Sequence, residues 1–137
     1  MRRFSITRAM VFEYLLREGE LSGYTFMKYC RRLGIPVSSG MLYPCLRELK
    51  EKGMILERQE GRKKVYTLSN KGRAFVERVE GRRNVDQGFQ EILFRFMYHL
   101  ERVNWEKKEM VLLLSEDVRQ MEAYLERILG KKGEDNG

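Results

Sequence analysis

The sequence predicts a mainly α-helical protein. A front domain over residues 1–80 combines three helices with a β-hairpin, further helices occupy 81–130, and 131–137 reads as a disordered tail. Three observations carry this. Apolar residues recur three and four apart along most of the chain, the spacing of one helix face. Residues 54–68 leave that rhythm and shift toward strand character around a glycine turn. Charge also divides: residues 1–83 hold 19 Lys+Arg against 9 Asp+Glu, a balance of +10, while residues 84–137 hold 8 against 11, a balance of −3.

The first helix is expected from Phe4 to Arg17. Ile6, Met10, Val11, Tyr14 and Leu15 form a broad apolar arc that Phe12 and Leu16 extend to the other side. A helix apolar on more than one side is usually covered twice, by its own core and by something else such as a partner chain. Glu18-Gly19-Glu20 breaks it. Leu21-Ser22-Gly23 is a short extended stretch, with Ser22 a cap for a second helix that runs to about Leu33 and buries Phe26, Tyr29, Cys30 and Leu33. Gly34 closes that helix.

Val37 to Gly53 is the segment the rest serves. Ser38 or Ser39 can cap a third helix, and Gly53 can end it. Leu42, Cys45, Leu46 and Leu49 make its apolar stripe, while Gly40, Tyr43, Pro44, Arg47 and Lys50 lie on the other side with Glu51 the one acidic group among them. Pro44 falls early enough that its missing N–H costs at most an early helical bond. Two helices joined by the short Ile35-Pro36-Val37 turn, the second with a polar outer face, form a helix-turn-helix pattern suited to the DNA major groove. Met54 to Arg58 and Lys64 to Leu68 then flank Glu60-Gly61-Arg62 as a hairpin. Arg58, Arg62, Lys63 and Lys64 make that hairpin basic, as a segment lying along phosphates or reaching the minor groove would be.

The run from Ser39 to Ile55, S-G-M-L-Y-P-C-L-R-E-L-K-E-K-G-M-I, and that from Glu60 to Arg73, E-G-R-K-K-V-Y-T-L-S-N-K-G-R, resemble the winged-helix domain of the PadR family of transcriptional regulators. Glu20 to Tyr24, E-L-S-G-Y, resembles the family's approach to its second helix, so the likeness spans residues 5–80. It implies a winged helix-turn-helix with a two- or three-stranded β-wing that binds operator DNA as a dimer, usually as a repressor. Ser39, Tyr43 and Pro44 match the family's recognition-helix motif, and Gly61, Arg62 and Lys63 match its wing. Arg47 is added from the helical face it occupies, as are Ser38, Gly40 and Lys50, with Arg58 and Lys64 added on the wing.

Beyond the wing, a helix opens at Ser69 and buries Phe75, Val76 and Val79, with a break expected near Gly81-Arg82-Arg83-Asn84. Phe89, Ile92, Leu93, Phe96, Met97 and Leu100 follow at helical spacing. After a second break near 102–105, Val111, Leu114, Val118, Met121, Leu125 and Ile128 form a heptad-like seam. Too short to be a stable coiled coil alone, these stripes are expected to form a dimer interface rather than an intrachain bundle. Some PadR relatives bind drugs or phenolic compounds, one group through a tryptophan in the helix after the wing. Here the matching region holds Arg82 and Arg83, so no such pocket is carried over and any small-molecule effector is unknown. Trp105, the one tryptophan, reads as a core or interface anchor.

Other classes find less support. At 137 residues, 34% charged and 42% hydrophobic, the chain fits one globular domain, or a small domain with an appended segment. No apolar run approaches the roughly 20 residues that span a bilayer. The opening M-R-R-F-S-I-T-R leads into an amphipathic pattern rather than a signal peptide, so the expected location is cytoplasmic. Cys30, Cys45 and His99 have neither disulfide-scaffold nor zinc-ligand spacing, and no metal or cofactor is expected. There is no Gly-rich phosphate loop, nucleophile elbow or carboxylate pair in helical register, so an enzyme is not expected. A winged helix used only for protein–protein assembly remains the alternative.

Overall fold

The computed structural model describes residues 5–80 and 85–136. The chain divides into two compact units, Met1–Arg83 and Asn84–Gly137.

In the front unit, α1 (Ile6–Glu18) starts at a Ser5 cap whose hydroxyl accepts the Arg8 N–H. Phe4, the expected start, lies outside the described residues. Gly19 ends α1 at φ 87°, its N–H donated to the Leu15 carbonyl. Strand β1 (Leu21–Ser22) leads into α2 (Gly23–Arg32), with Ser22 accepting the Thr25 N–H. Helix α3 (Ser39–Glu51) follows. Ser38 occupies its cap position but makes no side-chain bond there; the first turn is exposed, and water satisfies such N–H groups. At the other end Gly53, at φ 74°, donates to the Lys50 carbonyl while Met54 donates to that of Leu49, the paired bonds of a Schellman stop.

Strands β2 (Ile55–Glu60) and β3 (Lys63–Leu68) pair antiparallel from Ile55 with Leu68 to Glu60 with Lys63. The turn is therefore only Gly61-Arg62, tighter than expected. Gly61 at φ 64° supplies the positive dihedral that a two-residue hairpin needs at its first position. Leu21 and Ser22 pair with Tyr66 and Val65, so the sheet has three strands in the order β1-β3-β2.

Helix α4 (Asn70–Glu80) is capped by Ser69, whose Oγ accepts the Gly72 N–H at 2.9 Å and donates to the Gly53 carbonyl. The core between these elements is Ile6, Met10, Val11, Leu15, Phe26, Leu42, Leu46, Leu49, Ile55 and Val76. Phe12 is buried too, its ring 5.7 Å from that of Phe75 on α4. The second cover expected for α1 thus comes, at Phe12, from its own chain, while Leu16 stays exposed. Side-chain packing at Val79 and the break expected at residues 81–84 fall outside what is described.

The rear unit is a helical hairpin of α5 (Gln87–Arg102), capped by Asp86, and α6 (Lys108–Asn136). Tyr124 donates to Asp86, while Asp117 accepts from Arg95 Nε at 2.9 Å and meets His99 Nδ1, so the helices run antiparallel. Arg95 also reaches Gln120. The two helices thus pack on each other within one chain, a contact that leaves most of the expected dimer stripe on other sides of them. Leu114 and Asp117 are buried on α6, and Phe94 is buried on α5. The inner face is displaced from the expected stripe because it is organised around a carboxylate, which apolar periodicity does not register. Trp105, in the connecting turn, is 67% exposed and no core anchor. Residues 131–136, expected as a tail without structure, continue α6; Gly130 and Gly133 weaken a helix by about 1 kcal/mol each relative to alanine without stopping one already formed.

A Cβ at Gly72 would lie 1.9 Å from the Met54 carbonyl oxygen, a backbone atom that cannot swing aside. Gly72→Ala should destabilise the front unit by about 2 kcal/mol despite alanine's better helix propensity; an unchanged urea midpoint would mean the joint yields freely. Asp117→Ala leaves Arg95 and His99 without their shared acceptor. It should cost on the order of 3 kcal/mol, and a melting temperature equal to wild type would remove Asp117 as the organiser of the hairpin.

Candidate nucleic-acid interface

Burial sorts α3 into two sides. Leu42, Leu46 and Leu49 are within 2% of complete burial, and Cys45 beside them is half-buried. Ser38, Ser39, Gly40, Tyr43, Pro44, Arg47 and Lys50 all face solvent. Pro44 removes the helical donor to the Gly40 carbonyl on that exposed side. The Tyr43 phenol rests on Gly23 at the start of α2, where a Cβ would stand 2.3 Å from its oxygen. That contact seats the first turn of α2 against the outer face of α3.

The wing lies beside the same face. Tyr43, Leu46, Arg47 and Lys50 of α3 share a cleft with Glu57, Lys64 and Tyr66 of the hairpin. Lys50 Nζ donates to Glu57 at 3.1 Å. That bond, then one from the Tyr66 hydroxyl, holds the Glu57 carboxyl below its usual range. Burial, reinforced by Glu57, pushes the Tyr66 phenol up to about 12. At neutral pH the cleft therefore contains an ionised carboxylate, a cation spent on it and a neutral phenol.

The cations separate accordingly. Arg58 donates to both Glu20 and Glu60 at 2.8 Å, so it and Lys50 are neutralised locally. Arg47, Arg62, Lys63 and Lys64 have no ion-pair partner among the described residues. Sequence reasoning grouped all six. Of the carboxylates that divide them, Glu60 lies two residues from Arg58 on the same strand, whereas Glu20 and Glu57 are distant in sequence from the cations they pair with. Gly23 as the seat of Tyr43 was missed for the same reason.

Residues 13–78, which span this face and its wing, match the transcriptional regulator PadR-like family. The front unit belongs to that family. Among solved structures, the PadR-like unit and its following helices resemble Bacillus subtilis PadR in complex with operator DNA: 18% identity over 95% of this chain and 99% of that one, TM-score 0.51. F93 from STIV, a winged-helix DNA-binding protein, is 23% identical over 58% of this chain and 88% of its own, TM-score 0.52. At such identities the likeness establishes the fold. No curated protein matches the sequence. No described helix is long and apolar enough to cross a membrane.

Burial holds both thiols in the neutral form, Cys30 up to about 12 and Cys45 up to about 11. Because the thiolate is the nucleophile, neither should react appreciably with Ellman's reagent at pH 8 until the protein is denatured. Rapid labelling of one equivalent in the native state would show that the Cys45 side of α3 opens.

Proposed function

We propose that this PadR-family regulator is a cytoplasmic homodimer that binds double-stranded DNA sequence-specifically and represses from a roughly palindromic operator. The observation that carries the reading is the α3 face left open beside a basic two-residue hairpin turn, with Arg47, Arg62, Lys63 and Lys64 unneutralised. In this reading the amino-terminal half of α3 enters the major groove. Ser38, Ser39, Gly40, Tyr43 and Pro44 supply its small and aromatic surface, and Arg47 meets a base edge or phosphate. Arg62, Lys63 and Lys64 hold the flanking backbone, while Gly61 shapes the turn that presents them. Lys50 and Arg58 tune the fit through their carboxylates rather than adding to the contact charge.

Dimerisation is supported by what the helical hairpin leaves uncovered. Leu100, Val118 and Leu125 are exposed, as are Leu112, Leu113, Leu129 and Trp105, while Phe89, Ile92, Leu93, Phe96, Met97, Val111, Met121 and Ile128 are only half-buried. A second copy would cover this surface and pair two half-sites, multiplying affinity. The role is regulatory rather than catalytic.

The test is fluorescence anisotropy with duplex DNA from upstream of the protein's own coding region, over a salt series. Lys63→Ala with Lys64→Ala should flatten the slope of log K against log salt by about 0.9 per lost phosphate contact, whereas Lys50→Ala with Arg58→Ala should change it less. Absence of binding to any duplex at low salt would leave the alternative, a winged helix that contacts only other proteins.

A further inference from the structure

A second basic surface lies outside the α3 face and the wing. Tyr14 and Glu18 of α1 and Tyr24, Thr25, Lys28, Tyr29, Arg31 and Arg32 of α2 line an open groove of about 670 Å³. Its floor is aromatic. Tyr14 packs edge-on against Phe26 and lies 5.3 Å from the Tyr29 ring. Arg17 and Arg32 both stack on that ring, at 4.9 and 5.5 Å. Stacking fixes a guanidinium while leaving its charge and its donor edge available, which an ion pair does not.

Charge in the groove is one-sided. Glu18 is its one lining carboxylate, and it bonds Arg17 at 3.4 Å. Lys28, Arg31 and Arg32 have no ion-pair partner among the described residues. Tyr24 is 73% exposed, and Thr25 beside it faces solvent. An open, cationic, hydroxyl-edged groove suits a phosphodiester backbone, whose contacts come from such groups. Tyr43 sets the direction: its phenol rests on Gly23, so Tyr24 and Thr25 adjoin the α3 face and Lys28 to Arg32 extend it along α2.

The geometry points to the α1–α2 groove as a second phosphate-binding track, which carries the DNA backbone past the segment held by α3 and the wing. Tyr24, Lys28 and Arg31 supply the donors, with Arg32 positioned by Tyr29 and the Thr25 hydroxyl committed to Ser22 at the start of α2. This rests on the DNA-binding reading above and extends it, because the contacted duplex becomes longer than α3 and the wing alone would span.

The experiment is a salt titration of the full chain against a mixed-sequence 40-base-pair duplex, followed by anisotropy. Lys28→Gln with Arg31→Gln changes two exposed side chains. It should lower the salt slope by about 2 per protomer, at about 0.9 per phosphate, with the wing double variant lowering it by a similar and additive amount. Arg73→Gln with Arg78→Gln on α4 is the equal-charge control and should lower it by less than half as much. A groove variant with the wild-type slope, while the wing variant flattens, would overturn the second track and leave the DNA-binding reading intact. Equal losses in the groove and α4 variants would reduce the effect to net charge and also overturn it. No binding by wild type at low salt would remove both readings together.

Discussion

The front unit depends on one joint, where the chain leaves α3 at Gly53-Met54 and leaves β3 at Ser69. Ser69 bonds the Gly53 carbonyl with its hydroxyl, its own N–H donates to the Met54 carbonyl at 3.0 Å, and Gly72 lets α4 press onto that same carbonyl. Four elements, α3, β2, β3 and α4, therefore meet through bonds that involve only two or three residues of each. Buried backbone groups tolerate little loss of such partners. The angle between α3 and the hairpin is set at this joint, and the Lys50–Glu57–Tyr66 contacts hold it from the other side.

The electrostatics follow from what that arrangement neutralises. A balance of +10 over residues 1–83 describes composition, yet Lys50 and Arg58 spend their charge inside the fold. Exposed pairs of this kind contribute little to stability. Their effect is on the field: they remove two cations from the α3–wing face and leave the hairpin turn, Arg47 and the exposed side of α2 carrying uncompensated positive charge. A surface patterned in this way orients a polyanion as well as attracting it.

Much of this was legible in the residues. Helix caps at Ser22 and Ser69, the stops at Gly19, Gly34 and Gly53, and the apolar stripe of α3 all stand where local chemistry puts them. Local chemistry is also where legibility ended. The third strand consists of two residues whose partners lie more than forty positions away. Arg95 and His99 face α6 because Asp117 draws them there, and a polar organiser is invisible to a count of hydrophobic periodicity. Tyr43 was read as an outward side chain, which it is, but its seat on Gly23 links two helices that sequence spacing treats separately. Residues 131–136 continue α6 past Gly130, because a helix that is already propagating passes through glycine at modest cost.

The two-residue connection between β2 and β3 has a geometric implication for reach. Adjacent strands stand about 4.8 Å apart before side chains are added, whereas the minor groove of B-form DNA is only about 6 Å wide. The body of the ribbon is too broad to enter such a slot, so only its apex can. With Gly61 contributing no side chain, the apex tapers to a single guanidinium, that of Arg62, carried on a stiff stalk instead of a floppy loop.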